Sequence, residues 1–163
     1  MTISRLVLAV VGAAGLAAAQ NTIVVRVDGV GDCPALNWTF DASQTYSPAG
    51  SGGTGSGRAQ ATALVVNRQL DQCSPHLFQL VPLGQHVQSV VVTQYDSTGR
   101  IPILIVTLGG VLVSNYQVGG STATAAPGES VAFTFSSIRL EYRSASGGGS
   151  VEAGWDFMRN ARI

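Results

Sequence analysis

Apolar and polar residues alternate along most of this chain, and that alternation predicts strands rather than helices. From Asn21 to Asp28, Ile23, Val25 and Val27 share one face, with Arg26 and Asp28 opposite. Gly29, Gly31, Asp32 and Pro34 read as the turn that follows. Leu36–Tyr46 then reads as one strand with a buried and a wet face: Leu36, Trp38, Phe40 and Ala42 against Asn37, Thr39, Asp41 and Ser43. Arg58–Leu70 resumes the pattern, setting Ala61, Ala63 and Val65 against Thr62, Leu64 and Val66. Val87–Asp96 is β-rich and ends in a DSTG turn, and Arg100–Leu108 is a continuous apolar strand with Pro102 near its start.

Leu108–Gly120, LGGVLVSNYQVGG, reads as a separate short strand between two glycine pairs, each able to turn at positive φ. Later, Val131, Phe133 and Phe135 alternate, but Ile138, Leu140 and Tyr142 fall on the opposite parity. The phase switch at Ser136-Ser137 predicts a bulge or a barrel corner. Only one segment changes to a helical period. Ser74 is a suitable N-cap and Pro75 a suitable first helical residue. Leu77, Phe78 and Val81 follow, and Pro82 and Gly84 end the helix. The pattern therefore predicts an all-β fold, an antiparallel barrel or sandwich of about eight strands with one short helix.

Composition narrows the function more than the fold. The chain of 163 residues suits one domain. Charged residues make up only 11% of it, and the formal net charge is zero. All nine basic residues are arginine. With no basic patch, nucleic acid is not an expected partner. A near-neutral surface is compatible with self-association.

Met1–Ala19 reads as a signal peptide: Arg5, an apolar run over Leu6–Leu16, then Ala17, Ala18 and Ala19 as a cleavage site. The run is short for a membrane span, and an uncleaved anchor is the alternative. Gln20–Ile163 is then a single domain, with no stable membrane insertion expected after processing. Cys33 and Cys73 are the only cysteines. An even count in an exported chain suggests a disulfide, with two buried thiols as the alternative.

Candidate chemistry is sparse. Ser47–Gly57, SPAGSGGTGSG, lacks a Walker lysine and the strand-to-helix setting of a phosphate loop. It reads as a long hairpin loop inside one domain. His76 and His86 are the only histidines, and neither has a carboxylate at a fixed spacing. Asp28 and Asp32 fall far short of a calcium loop, and no third soft ligand accompanies the cysteines. Trp38 and Trp155 read as core anchors rather than sugar platforms. Catalytic residues, metal and cofactor are all expected to be none.

Several pieces in order resemble one family. They are DQCSPHLF (Asp71–Phe78), GQHVQSV (Gly84–Val90), VLVSNYQVGG (Val111–Gly120), ESVAFTFSSIRLEY (Glu129–Tyr142) and AGWDFMRN (Ala153–Asn160). Together, from about Asn21 to Ile163, they resemble the Hcp proteins of type VI secretion. The resemblance implies a compact β-barrel with a short helix, homohexameric rings stacked into a tube, and small exported proteins held in the lumen. It also implies that the glycine-rich loop is an assembly element in ring and inter-ring contacts; its residues are Ser47, Pro48, Gly50, Gly52, Gly53, Gly55 and Gly57. The signal peptide departs from this pattern, since such tube proteins leave through the machine itself. An exported relative, secreted or periplasmic, is one expectation. A secreted β-sandwich binding module for a surface carbohydrate or a partner protein is the other.

Overall fold

The computed structural model describes residues 22–46, 56–122 and 126–163. The expected signal peptide, Met1–Ala19, lies outside the described residues, as do Ser47, Pro48, Gly50, Gly52, Gly53 and Gly55. The strands are β1 (Ile23–Val27), β2 (Gly31–Ala35), β3 (Asn37–Thr39), β4 (Ala42–Tyr46), β5 (Ser56–Ala61) and β6 (Leu64–Gln69). After helix α1 (Ser74–Leu83) come β7 (His86–Tyr95), β8 (Pro102–Gly119), β9 (Gly128–Thr134), β10 (Ser137–Arg143), β11 (Ser150–Asp156) and β12 (Ala161–Arg162). All pairings are antiparallel. The all-β class expected from the periodicity is observed, with more numerous strands than expected.

Strand β8 organises the sheet. Leu104–Gly109 of its first half pairs with both β7 and β10, and Leu112–Gly119 of its second half pairs with β9. From β8, one path runs through β7 and β1 to β2, and another through β9 and β6 to β3. Strand β2 leads into β3 through Leu36, whose N–H donates to the Asn67 carbonyl of β6 at 2.9 Å. The two paths therefore meet, and the wall closes into a barrel. Strands β10, β11 and β12 extend from the first half of β8. Val25 and Val27, Leu64 and Val66, Val90 and Val92, Val106 and Leu108, and Val131 and Phe133 alternate into the interior. Leu77 and Leu80 of α1 join the same core.

Several local expectations are corrected. Gly109-Gly110 is not a turn between two strands: β8 runs unbroken for 18 residues through it. Gly110 has φ 59°, and the strand bends there as it passes from one wall to the other. The Ser136-Ser137 phase switch is a real corner, and it sits on the same spot. Ser136 donates from N–H and Oγ to the Gly109 carbonyl at 3.0 and 2.9 Å. A Cβ on Gly109 would lie 2.6 Å from Ser137 Oγ, and one on Gly110 would collide with Ser136 Oγ. Gly110→Val combines a left-handed backbone with an overpacked corner, so a loss of about 2–5 kcal/mol is expected in denaturant unfolding. Gly119→Ala, where an added Cβ meets nothing within 4 Å, is the control and should be close to neutral.

Residues 31–35 form β2 rather than a turn, which is confined to residues 28–30. Cys33 therefore lies in a strand. Leu36–Tyr46 is two strands, and Leu36, expected in the core, is 61% exposed because the chain kinks there. Ser74 is the first helical residue and Cys73 holds the N-cap position. The Ser74 Oγ instead accepts the Asp71 N–H at 3.0 Å. Helix α1 continues past Pro82 and ends at Gly84, in the left-handed region.

Candidate assembly surfaces

Three kinds of feature could matter for partners: the interior clamp that fixes the walls, the hairpin that leaves them, and the free sheet edges. Arg68 is 2% exposed and sits on the core parity of β6 beyond Leu64 and Val66. Its Nη1 donates to Glu129 Oε1 of β9 at 2.5 Å, and its Nε donates to the Pro34 carbonyl of β2 at 3.0 Å. Its Nη2 lies 2.5 Å from Asp71 Oδ2, a charge contact outside hydrogen-bond geometry. Glu129 also accepts the Tyr116 hydroxyl from β8. Burial, then the Glu129 carboxylate, pushes the Tyr116 phenol up to about 12. The Phe78 ring of α1 packs edge-on against Tyr116 at 5.6 Å.

Cys33 and Cys73 are joined as a disulfide, with their Cα atoms 6.1 Å apart. The bridge links β2 to the start of α1. Asp71 Oδ1 accepts the Cys73 N–H at 2.7 Å, so bridge and Arg68 hold the same two segments side by side. Sequence reasoning missed Arg68, Glu129 and Tyr116 as a group. The available signal was a charge on a buried parity, at Arg68 beyond Leu64 and Val66 and at Glu129 before Val131 and Phe133.

Strands β4 and β5 form a separate two-stranded sheet, and neither pairs with the main sheet. Gly57, the one described glycine of the expected assembly loop, lies in β5. In β11, residues 150–153 have no strand on their outer side among the described residues, because β12 pairs only with Trp155 and Asp156. Val151 and its cross-strand neighbour Tyr142 are both exposed. Such edges offer unpaired backbone donors and acceptors to a second chain.

The chemical candidates remain dispersed. His76 and His86 line a shallow cleft of about 280 Å³ together with Asp28, and both are exposed. No group of three His, Cys, Asp or Glu among the described residues could hold a metal. Asp32 is engaged by Arg26 at 2.6 and 2.9 Å, and that guanidinium holds its carboxyl below the usual range. Trp38 stacks on Phe40 with centroids 6.3 Å apart and packs on the core, and Trp155 is half-buried. No helix among the described residues is long and apolar enough to cross a membrane.

The family model described as "Type VI secretion system effector, Hcp" matches residues 31–142. The chain belongs to the Hcp family. It is 29% identical to the protein hcp1 of Pseudomonas aeruginosa over 106 residues, which cover 61% of this chain and 65% of that one. The chain thus spans just under two thirds of that relative's length. A solved structure described as a type six secretion system protein shares the fold, with a TM-score of 0.80 at 22% identity, over 88% of this chain and 100% of the other. Hcp1 from Salmonella typhimurium matches with a TM-score of 0.75 at 25% identity, over 88% of this chain and 99% of that one. The Hcp match spans strands β2 to β10 and so includes the disulfide, the Arg68 cluster and the hairpin.

Proposed function

We propose that this Hcp protein is a structural subunit that assembles with copies of itself into six-membered rings, and that the rings stack into a tube of the type VI kind. Family membership is the observation that carries the reading. The free edge of β11 and the outlying β4–β5 hairpin support it, since both present strand backbone that a second copy can pair with. The glycine-rich residues 47–57 suit an assembly element. Such a segment loses conformational entropy on binding, so its contacts are specific yet reversible. The role is structural rather than catalytic, in keeping with the family. Small exported proteins in the lumen are the proposed cargo.

We also propose that Met1–Ala19 is removed on export and that residues 20–163 act as one domain in a secreted or periplasmic setting. The cysteine pair supports that setting, because disulfides persist in oxidising compartments. Purified Gln20–Ile163 should run as a hexamer in sizing with light scattering and show six-fold rings in negative stain. A monomer at high protein concentration would sink the ring reading. Mass spectrometry of the exported protein should find an N-terminus at Gln20; one at Met1 contradicts the processing.

A further inference from the structure

The β4–β5 hairpin has, among the described residues, no ladder bonds to the main sheet, so its direction must be set by other contacts. Among the described residues, its hydrogen bonds to the rest of the fold converge on one place, the turn at residues 157–160. Arg58 of β5 donates from Nε and Nη2 to the Phe157 carbonyl at 3.2 and 2.6 Å, and from Nη2 to the Met158 carbonyl at 2.9 Å. The next residue, Ala59, donates its N–H to Asn160 Oδ1 at 3.2 Å. The other bonds of this segment are internal: Asp41 with Thr62, and Gln44 with the Gly57 carbonyl.

The receiving turn is firmly seated. Asp156 Oδ1 accepts the N–H groups of Met158 and Arg159, both at 2.9 Å, and Phe157 N–H donates to the Ser136 carbonyl at 2.9 Å. The Phe157 ring meets Phe135 edge-on at 5.9 Å, Phe135 meets Phe40 at 6.5 Å, and Phe40 stacks on Trp38. This aromatic row ties the turn to the core on which the barrel is built. Arg58 has no carboxylate partner among the described residues. Its planar fork is spent on two backbone carbonyls, a geometry a lysine ammonium does not reproduce.

We propose that Arg58 is a positioning residue that latches the hairpin to the C-terminal turn and so fixes the direction in which the hairpin is presented for assembly. The part played in assembly rests on the tube reading above; the latch itself does not. The hairpin leaves the barrel in a fixed direction because its own guanidinium grips two carbonyls, and its backbone an asparagine, about a hundred residues away in sequence.

Hydrogen exchange on the full mature chain tests the latch without any assembly. Arg58→Ala should speed exchange of the β4 and β5 amides at least tenfold and leave β8 unchanged, and Arg58→Lys should rescue only a small part. Asn160→Gly, which keeps the positive φ of 53° while removing the acceptor, should deprotect Ala59. Unchanged hairpin exchange in Arg58→Ala overturns the latch, and so does equal deprotection of β8, which would mark a general stability role. In negative stain, Arg58→Ala should retain rings but lose stacks; retained stacks overturn the part of the latch in assembly. A wild-type chain without rings overturns the tube reading, while the exchange result still decides the latch.

Discussion

Glu129→Ala is expected to cost the fold about 3–5 kcal/mol, the typical loss when one partner of a buried ion pair is removed. The reason is what remains behind. Arg68 is buried with its charge, keeping only the Pro34 carbonyl and the half-exposed Asp71, and Tyr116 loses its acceptor. Exchanging both charged residues together, Arg68→Met with Glu129→Leu, should cost much less, because no uncompensated charge is left inside. Denaturant unfolding of the single and double variants forms a cycle that reads the coupling. A Glu129→Ala loss below about 1 kcal/mol would mean that water reaches Arg68 freely. Tyr116 adds a pH signature. Its phenol titrates near 10 in an unfolded chain and at about 12 here. Below pH 10 both states hold the proton and the contribution is complete. It is lost as pH rises through 12, because the unfolded state ionises first. Tyr116→Phe should flatten that alkaline fall.

Removing the bridge is the second large effect. The chain-entropy argument for a 40-residue separation gives about 4 kcal/mol for Cys33→Ala with Cys73→Ala. Arg68 spans the same two segments, from Pro34 to Asp71, so the bridgeless protein should still fold. Combined with Arg68→Met, which removes that second clamp, the losses should exceed the sum of the parts, since each clamp masks the absence of the other. Intact mass after alkylation under denaturing, non-reducing conditions checks the starting point: two modified thiols in the untreated protein would remove the basis of this prediction.

The alternation of Ile23, Val25 and Val27, and of Val131 and Phe133, made the barrel wall legible, because a half-buried strand has to alternate. The corner at Ser136-Ser137 was legible for the same reason, since a strand that changes walls changes parity. Its partner at Gly109-Gly110 was not. A glycine pair inside a strand and one at a turn look alike in sequence, and only the pairing of both halves of β8 separates them. Leu36 was misplaced because a kink exposes a residue whose parity says buried. The Arg58 contacts were beyond reach for a different reason: backbone carbonyls carry no residue identity, so an arginine that seeks them leaves no matching charge elsewhere in the chain.

The uninterrupted course of β8 has a mechanical consequence. Its 18 residues give a contour of about 60 Å at strand rise. One length of covalent chain thus runs from the β10 side of the subunit to the β9 side. A pull along it loads the flanking ladders sideways, many bonds at once, rather than opening them one by one. A subunit built around such a strand resists stretching most strongly along that single direction.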